Sequence, residues 1–217
     1  MTTISILGGT GHEGSGLGLR WARAGHSIII GSRTAEKAQT AAAELNEKLG
    51  IDSVRGMDNL SAAQAAEIIV LTVPYSAHAA TIESVKSAVQ GKIFVDVTVP
   101  LVPPKVSRVQ LPAGGSASQE AQALLGEGVK VVTAFQNISA EHLKDPDHPI
   151  DCDVLVCGDD KESKATVIQL ASDAGMKAWD AGPLANAVVP EGLTSLLIGL
   201  NIRYKVKSSG IKITGIE

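Results

Sequence analysis

Ile4-Ser5-Ile6-Leu7-Gly8-Gly9-Thr10-Gly11-His12-Glu13-Gly14 decides the fold of this chain. A short apolar run ends in a glycine turn, and a helix follows. Gly9, Gly11 and Gly14 carry the GxGxxG spacing. In such a motif the first glycine permits the tight turn. The second has no Cβ, so a pyrophosphate can approach the backbone. The third lets the helix pack closely on the strand, and the free N–H groups at the helix start face the phosphates. A glycine turn also arises for packing alone. Here it follows a strand over 3–8 and opens a helix that runs to about residue 24, before Gly25. A second strand, 27–31, comes at once. His12, inside the turn, is placed to line the pyrophosphate.

A dinucleotide site reads its ribose at the end of the second strand, where NAD sites carry Asp or Glu. This chain has Gly31-Ser32-Arg33, with Lys37 one helical turn further on. An arginine pairs with a 2′-phosphate, and Ser32 can donate a hydrogen bond to it. The sequence therefore prefers NADP over NAD. The alternative is that Arg33 and Lys37 are ordinary solvated charges.

Outward from this unit, Thr34 is placed to cap a helix packed through Ala35, Ala38, Ala42, Leu45 and Leu49 and stopped by Gly50. A short third strand is expected over 51–54 and a brief helix or turn over 59–66. Residues 67–73 read as a buried parallel strand ended by Pro74. A helix over 76–89 follows, with Ala79, Ile82, Val85 and Val89 on its packed side. After a strand at 92–97, Thr98-Val99-Pro100-Leu101-Val102-Pro103-Pro104 forms a stiff loop at the carboxyl edge of the sheet, where ligands of open α/β sheets bind. Ser116 and Gln119 have the spacing of a capping box for a helix to Leu125. A strand over 130–135 completes the pattern. The expected class is α/β: a Rossmann-like, doubly wound, mostly parallel sheet over residues 1–137.

Residues 138–217 read as a small C-terminal α/β extension, with no flexible linker before it. It has a strand at 153–158, a helix at 160–174 with Gly175 at its end, a strand at 177–179, and a glycine/proline turn at 180–186. A final helix, about 190–206, is apolar nearly all round up to Ile202 and is expected to be buried, or buried partly by another subunit. The extension is expected to continue the same sheet.

The 217 residues carry a net charge of −4, and aromatic residues are only 3%. This argues against general nucleic-acid binding and against base-stacking platforms. Cys152 and Cys157 lack metal-ligand spacing and read as buried thiols; no metal set is expected. Residues 193–202 are apolar but too short to span a bilayer, and no charged, apolar leader opens the chain. The expectation is a soluble, cytoplasmic protein with no membrane partner. The excess of Lys205, Lys207 and Lys212 near the end is either a site for the anionic tail of a second ligand or an exposed helix end.

Hydride transfer needs two rings held face to face with water excluded, and little side-chain chemistry. No Ser/Tyr/Lys reductase set is present. His78 and His142 each stand alone in sequence and read as solvated or structural. No catalytic acid or base is therefore assigned, which favours a flavin-like acceptor over a carbonyl.

The chain resembles the NADPH-dependent reductases of coenzyme F420, a 5-deazaflavin. The resemblance covers nearly the whole chain. It rests on Leu7-Gly8-Gly9-Thr10-Gly11, Gly31-Ser32-Arg33 with Glu36-Lys37-Ala38, Gly56-Met57, Val70-Leu71-Thr72-Val73-Pro74 and Pro100-Leu101-Val102-Pro103. The most specific stretches are Val156-Cys157-Gly158-Asp159-Asp160 with Glu162-Ser163-Lys164, and Asp180-Ala181-Gly182-Pro183-Leu184. A related arrangement occurs in the cytosolic domains of membrane ferric reductases. The resemblance implies a homodimer and reversible hydride transfer between NADPH C4 and F420 C5. It implies that Thr10, Ser32, Arg33 and Lys37 hold NADP, and that Pro74 and the loop including Thr98, Val99 and Pro100 lie along the nicotinamide. It implies that Gly56-Met57 and Gly182-Pro183 frame the deazaflavin. His12-Glu13 stands where relatives often have Asn-Leu, and Gln136-Asn137, near the expected second-ligand site, stands where they often have His-Thr. An NADPH-dependent reductase of ordinary flavin or an imine, and a non-catalytic NADP sensor, are the alternatives.

Overall fold

Apolar runs alternate with helices from the first residues onward. A computed structural model of the chain describes residues 1–216. The elements run β1 (Thr3–Leu7), α1 (His12–Arg23), β2 (Ser27–Ser32), α2 (Ala35–Leu49), β3 (Arg55–Asp58), α3 (Asn59–Ala65), β4 (Ile68–Leu71), α4 (Tyr75–Val85) and β5 (Ile93–Asp96). They continue α5 (Ala117–Leu125), β6 (Lys130–Thr133), α6 (Ala140–Leu143), β7 (Asp153–Gly158), α7 (Lys161–Asp173), β8 (Lys177–Asp180) and α8 (Val188–Tyr204). One eight-stranded sheet results, in the order β3-β2-β1-β4-β5-β6-β7-β8. The chain moves outward from β1 through β2 to β3, then returns to place β4 on the other side of β1. That reversal opens a crevice at the carboxyl ends of β1 and β4.

Strand alternation feeds two cores. Ile4, Ile6, Ile28, Ile30, Val70 and Val95 face α1, α2 and α7, while Leu7, Ile29, Ile69, Leu71 and Phe94 face α3, α4 and α5. The segment after residue 137 shares the first core. Trp21 of α1 donates its indole N–H to Leu170 C=O at 2.8 Å and meets Phe135 edge-on at 5.7 Å. Arg20, only 5% exposed, donates to four carbonyls: Ala174, His142, Asp145 and His148. A buried guanidinium without a carboxylate partner is held by peptide dipoles instead.

Several expectations need correction. The third strand lies at Arg55–Asp58, not 51–54. It is an edge strand without an apolar run, so its pattern is faint. Gly56 is required there, because a Cβ would lie 2.3 Å from the Ala38 carbonyl carbon of α2. Thr34 precedes α2 but makes no side-chain cap bond, whereas Ser116 accepts the Gln119 N–H at 3.1 Å. On α4 the buried face is His78, Ile82 and Val85, with Ala79 exposed. His78 is inside because it has a buried partner, described below. Cys152 and Cys157 are buried free thiols, and burial raises both to about 11.

β7 runs antiparallel to β6, pairing Thr133 with Cys157 and Val132 with Gly158. The carboxyl ends of β7 and β8 therefore point to the opposite edge of the sheet from those of β1 to β6. From there a 3-10 turn (Leu184–Ala187) leads into α8, which crosses back. The run Leu184–Tyr204, the 3-10 turn and α8 together, is 21 residues with an 18-residue window of mean hydropathy 1.2, long and apolar enough by length and composition alone to cross a membrane. Its inward face carries polar side chains, Glu191 and Ser195, beside Pro190 and Leu197. Glu191, 2% exposed, accepts from the Ala117 N–H, the Ser118 N–H and the Ser118 hydroxyl at the start of α5. Its outward face carries Val189 and Leu196, both more than half exposed.

Candidate active site

The glycine turn closes the carboxyl end of β1. Gly8 takes the left-handed conformation, φ +75°, so Gly8 and not Gly9 supplies the sharp bend. The adjacent Gly-Gly pair was the available signal. Gly9 donates to both Ile6 C=O and Gly31 C=O, and a Cβ there would sit 2.7 Å from Ile6 O. At Gly14 a Cβ would sit 2.5 Å from Thr72 Oγ1 and 2.8 Å from Gly9 Cα, which is the close helix–strand approach expected. At Gly11 the nearest atom would be Gly8 O at 3.5 Å, so the protein leaves that side open. Gly11 caps α1 without a side-chain bond, and the N–H groups of His12, Glu13 and Gly14 meet no protein acceptor among the described residues. An exposed row of amides at a helix start is an anion site. Thr10 and His12 are exposed at its rim.

Glu13, in the same turn, was not singled out as a site residue. Its Oε1 is buried with no hydrogen-bond partner, and burial raises its pKa to about 8. At neutral pH it is an uncharged acid, and so does not repel a phosphate beside it.

Ser32 ends β2 and is buried; Arg33 and Lys37 follow on the surface. Neither cation forms an ion pair among the described residues. They remain free for an anionic group at the end of β2. Across the switch point, Pro74 caps α4 and Thr98, Val99 and Pro100 leave β5. Thr98 is 2% exposed, its N–H bonded to Asp96 Oδ1 at 3.0 Å. The turn, the β2 exit, Pro74 and the 98–100 loop are thus assembled on one edge.

Of the two remaining predicted pairs, one lies on this edge away from the 98–100 loop, Met57 standing opposite Gly31, and the other does not reach it. Gly56 and Met57 lie in β3, on the far side of β2 from β4 and β5. Gly182 and Pro183 lie at the opposite edge, where the Gly182 C=O accepts the Gly158 N–H at 3.1 Å. The reversal of β7 puts Gly182 and Pro183 there, away from Thr98–Pro100 of the same chain. A concavity of about 850 Å³, lined by Gln119, Lys130, Asp159 and Ala185, is also on that far edge and contains none of the predicted site residues.

The cavity on the productive side is smaller, about 140 Å³, and is lined by Gln136, Asn137, Ser139, Thr194, Asn201 and Lys207. Gln136 donates its amide N–H to Asp96 C=O at 2.6 Å, and Asn137 donates to Asp153 C=O at 2.8 Å. Both side chains are 5% exposed, and both amide oxygens are buried without a partner. Both residues line the cavity, and their unbonded amide oxygens leave acceptor capacity beside it. Lys207 lies at its rim, while Lys212 pairs with Asp151.

Comparison with known proteins gives the family. The family model described as NADP oxidoreductase, coenzyme F420-dependent, matches residues 3–100. The F420-dependent NADP reductase of Methanocaldococcus jannaschii is 45% identical over 222 residues, covering 99% of each chain. This chain belongs to the F420-dependent NADP reductase family. The F420-dependent NADP reductase of Methanothermobacter marburgensis is 44% identical over 98% of both chains. The crystal structure of a putative F420-dependent NADP reductase from an Arthrobacter species superposes with a TM-score of 0.82 at 26% identity, covering 99% of this chain and 100% of the other. In this member of the F420-dependent NADP reductase family, the glycine turn falls within residues 3–100 and the 136–139 cavity lies beyond them.

Proposed function

We propose that the protein transfers a hydride reversibly between NADPH and coenzyme F420. The observation that carries this reading is the carboxyl edge. An open phosphate turn and free cations stand on one side of the switch point, and a cavity lined by Gln136 and Asn137 stands on the other. When bound, NADPH supplies a hydride from C4 and F420 takes it at C5, with one proton taken up overall.

Residues 1–137 bind NADP. The amides of His12, Glu13 and Gly14 and the rim residues Thr10 and His12 hold the pyrophosphate. Ser32, Arg33 and Lys37 hold the 2′-phosphate, a site that NADH cannot fill. Pro74 and Thr98–Pro100 form the wall along the nicotinamide. Residues 138–217, with Gln136 and Asn137, complete the second cleft. No residue is assigned as acid or base: the residues hold two rings within the roughly 3–3.5 Å that reaction requires.

The working unit is a homodimer. Val189, Leu193, Leu196 and Leu200 recur at helical spacing along α8, with Val109 packed beside Gly192 and Leu111 exposed nearby. An apolar face on a helix whose inner face is bonded into the fold suits a second copy. The two buried free thiols suit a reducing cytoplasm.

The test is to mix protein, NADPH and oxidised F420 and follow the visible absorption of the deazaflavin. Bleaching with NADPH but at least tenfold slower with NADH, and faster with F420 than with riboflavin or flavin mononucleotide, is expected. NADPH binding without bleaching refutes the reading.

A further inference from the structure

His78 lies in the first turns of α4 and Asp96 ends β5. They are 1% and 0% exposed, with His78 Nε2 2.7 Å from Asp96 Oδ2. Burial works against a charged imidazole. The hydrogen bond and charge of Asp96 outweigh it and raise the His78 pKa, helped by Glu120 and Glu191 facing the pair from α5 and α8. Tyr75, on the same helix with its ring centroid 6.0 Å away, is bonded to Glu120. A buried ion pair is costly to form and poor as a source of stability. Its connections are what set this one apart.

Asp96 is bonded in three directions. Oδ2 meets His78. Oδ1 accepts the Thr98 N–H at 3.0 Å, at the start of the nicotinamide-side loop. Its C=O accepts the Gln136 amide at 2.6 Å, and the Gln136 C=O in turn accepts the Thr194 hydroxyl of α8 at 2.7 Å. One residue is therefore tied to the wall at 98–100 and to the wall of the 136–139 cavity, and His78 holds that residue in place.

We propose that His78, through Asp96, is a positioning residue that sets the separation of the two ring-binding walls. This rests on the reading of those walls given above. Hydride transfer depends steeply on donor–acceptor distance, so a hub common to both walls governs it without touching either ring. The adenylate end of the site, at β1 and β2, lies outside the hub and is unaffected by it.

The test uses His78→Asn, whose amide stops one bond short of Asp96, and His78→Gln, whose amide reaches it. Calorimetry measures Kd for NADP⁺ and for 2′,5′-ADP, which lacks the nicotinamide. His78→Asn weakens NADP⁺ at least fivefold with 2′,5′-ADP within twofold, and its kinetic isotope effect with C4-deuterated NADPH becomes temperature-dependent. His78→Gln stays near the wild type in both. Equal loss for both ligands, or none for either, overturns the proposal. If His78→Asn does not fold, Asp96→Asn is read by the same criteria. A wild-type protein that binds NADP⁺ but never reduces F420 refutes the functional reading instead and leaves the affinity comparison intact.

Discussion

Glu13→Gln removes an ionisable group from the phosphate turn while keeping its shape. Glu13 titrates at about 8 in the fold against 4.5 for an unperturbed glutamate. Between those values the folded protein holds a proton that the unfolded chain has released. Stability therefore falls as pH rises from 4.5 to about 8, and then levels off. At about 1.4 kcal/mol per pH unit, Glu13 costs up to about 3 kcal/mol at pH 7 and almost nothing at pH 4.5. Glutamine carries no such cost. Urea unfolding at pH 5, 7 and 8.5 should show the variant more stable than the wild type, by a margin that grows with pH. NADP⁺ affinity should fall in the wild type above about pH 8, as a carboxylate forms beside the pyrophosphate, and stay flat in the variant. A stability difference that is the same at pH 5 and pH 8.5 refutes the reasoning.

Arg33→Ala with Lys37→Ala should raise the Kd for NADPH roughly 10–100-fold and leave that for NADH within about threefold, as two charge-assisted contacts are lost only with the 2′-phosphate; calorimetry with both cofactors checks it. Leu196→Glu should convert a dimer to a monomer, read by sedimentation, because it places a charge in the proposed apolar interface. Arg20→Met should lower unfolding stability by about 3 kcal/mol or more in denaturant titration, since it strips the donor from four carbonyls, at about 1 kcal/mol or more each.

Much of the fold was legible because its strands are buried on both faces. Ile28-Ile29-Ile30, Ile68-Ile69-Val70-Leu71 and Val154-Leu155-Val156 are continuous apolar runs, and such runs are hard to misplace. Arg55-Gly56-Met57-Asp58 is an edge strand and has no run to read. The phosphate turn was legible because its chemistry is local: glycines and cations within one βαβ unit. The edge on which Gly182-Pro183 lies was not legible, for the opposite reason. Strand direction is not written in composition, and the antiparallel entry of β7 sends that turn to the far edge. Likewise His78 looked solitary, because its partner comes 18 residues later in the chain and on another element. The polar part of the inward face of α8 was also hidden: Glu191, Thr194 and Ser195 stand among apolar residues, and only packing shows which side is inside.

The most direct test of the account is isotopic. The protein is given NADPH deuterated at the transferred C4 position together with oxidised F420 in ordinary water, and the reduced deazaflavin is weighed by mass spectrometry. Ring-to-ring transfer predicts one deuterium per reduced F420 and none from the converse experiment with unlabelled NADPH in heavy water, once exchangeable sites are washed back. Reduced F420 that carries its new C5 hydrogen from solvent, or F420 that is not reduced at all by NADPH-bound protein, would contradict it.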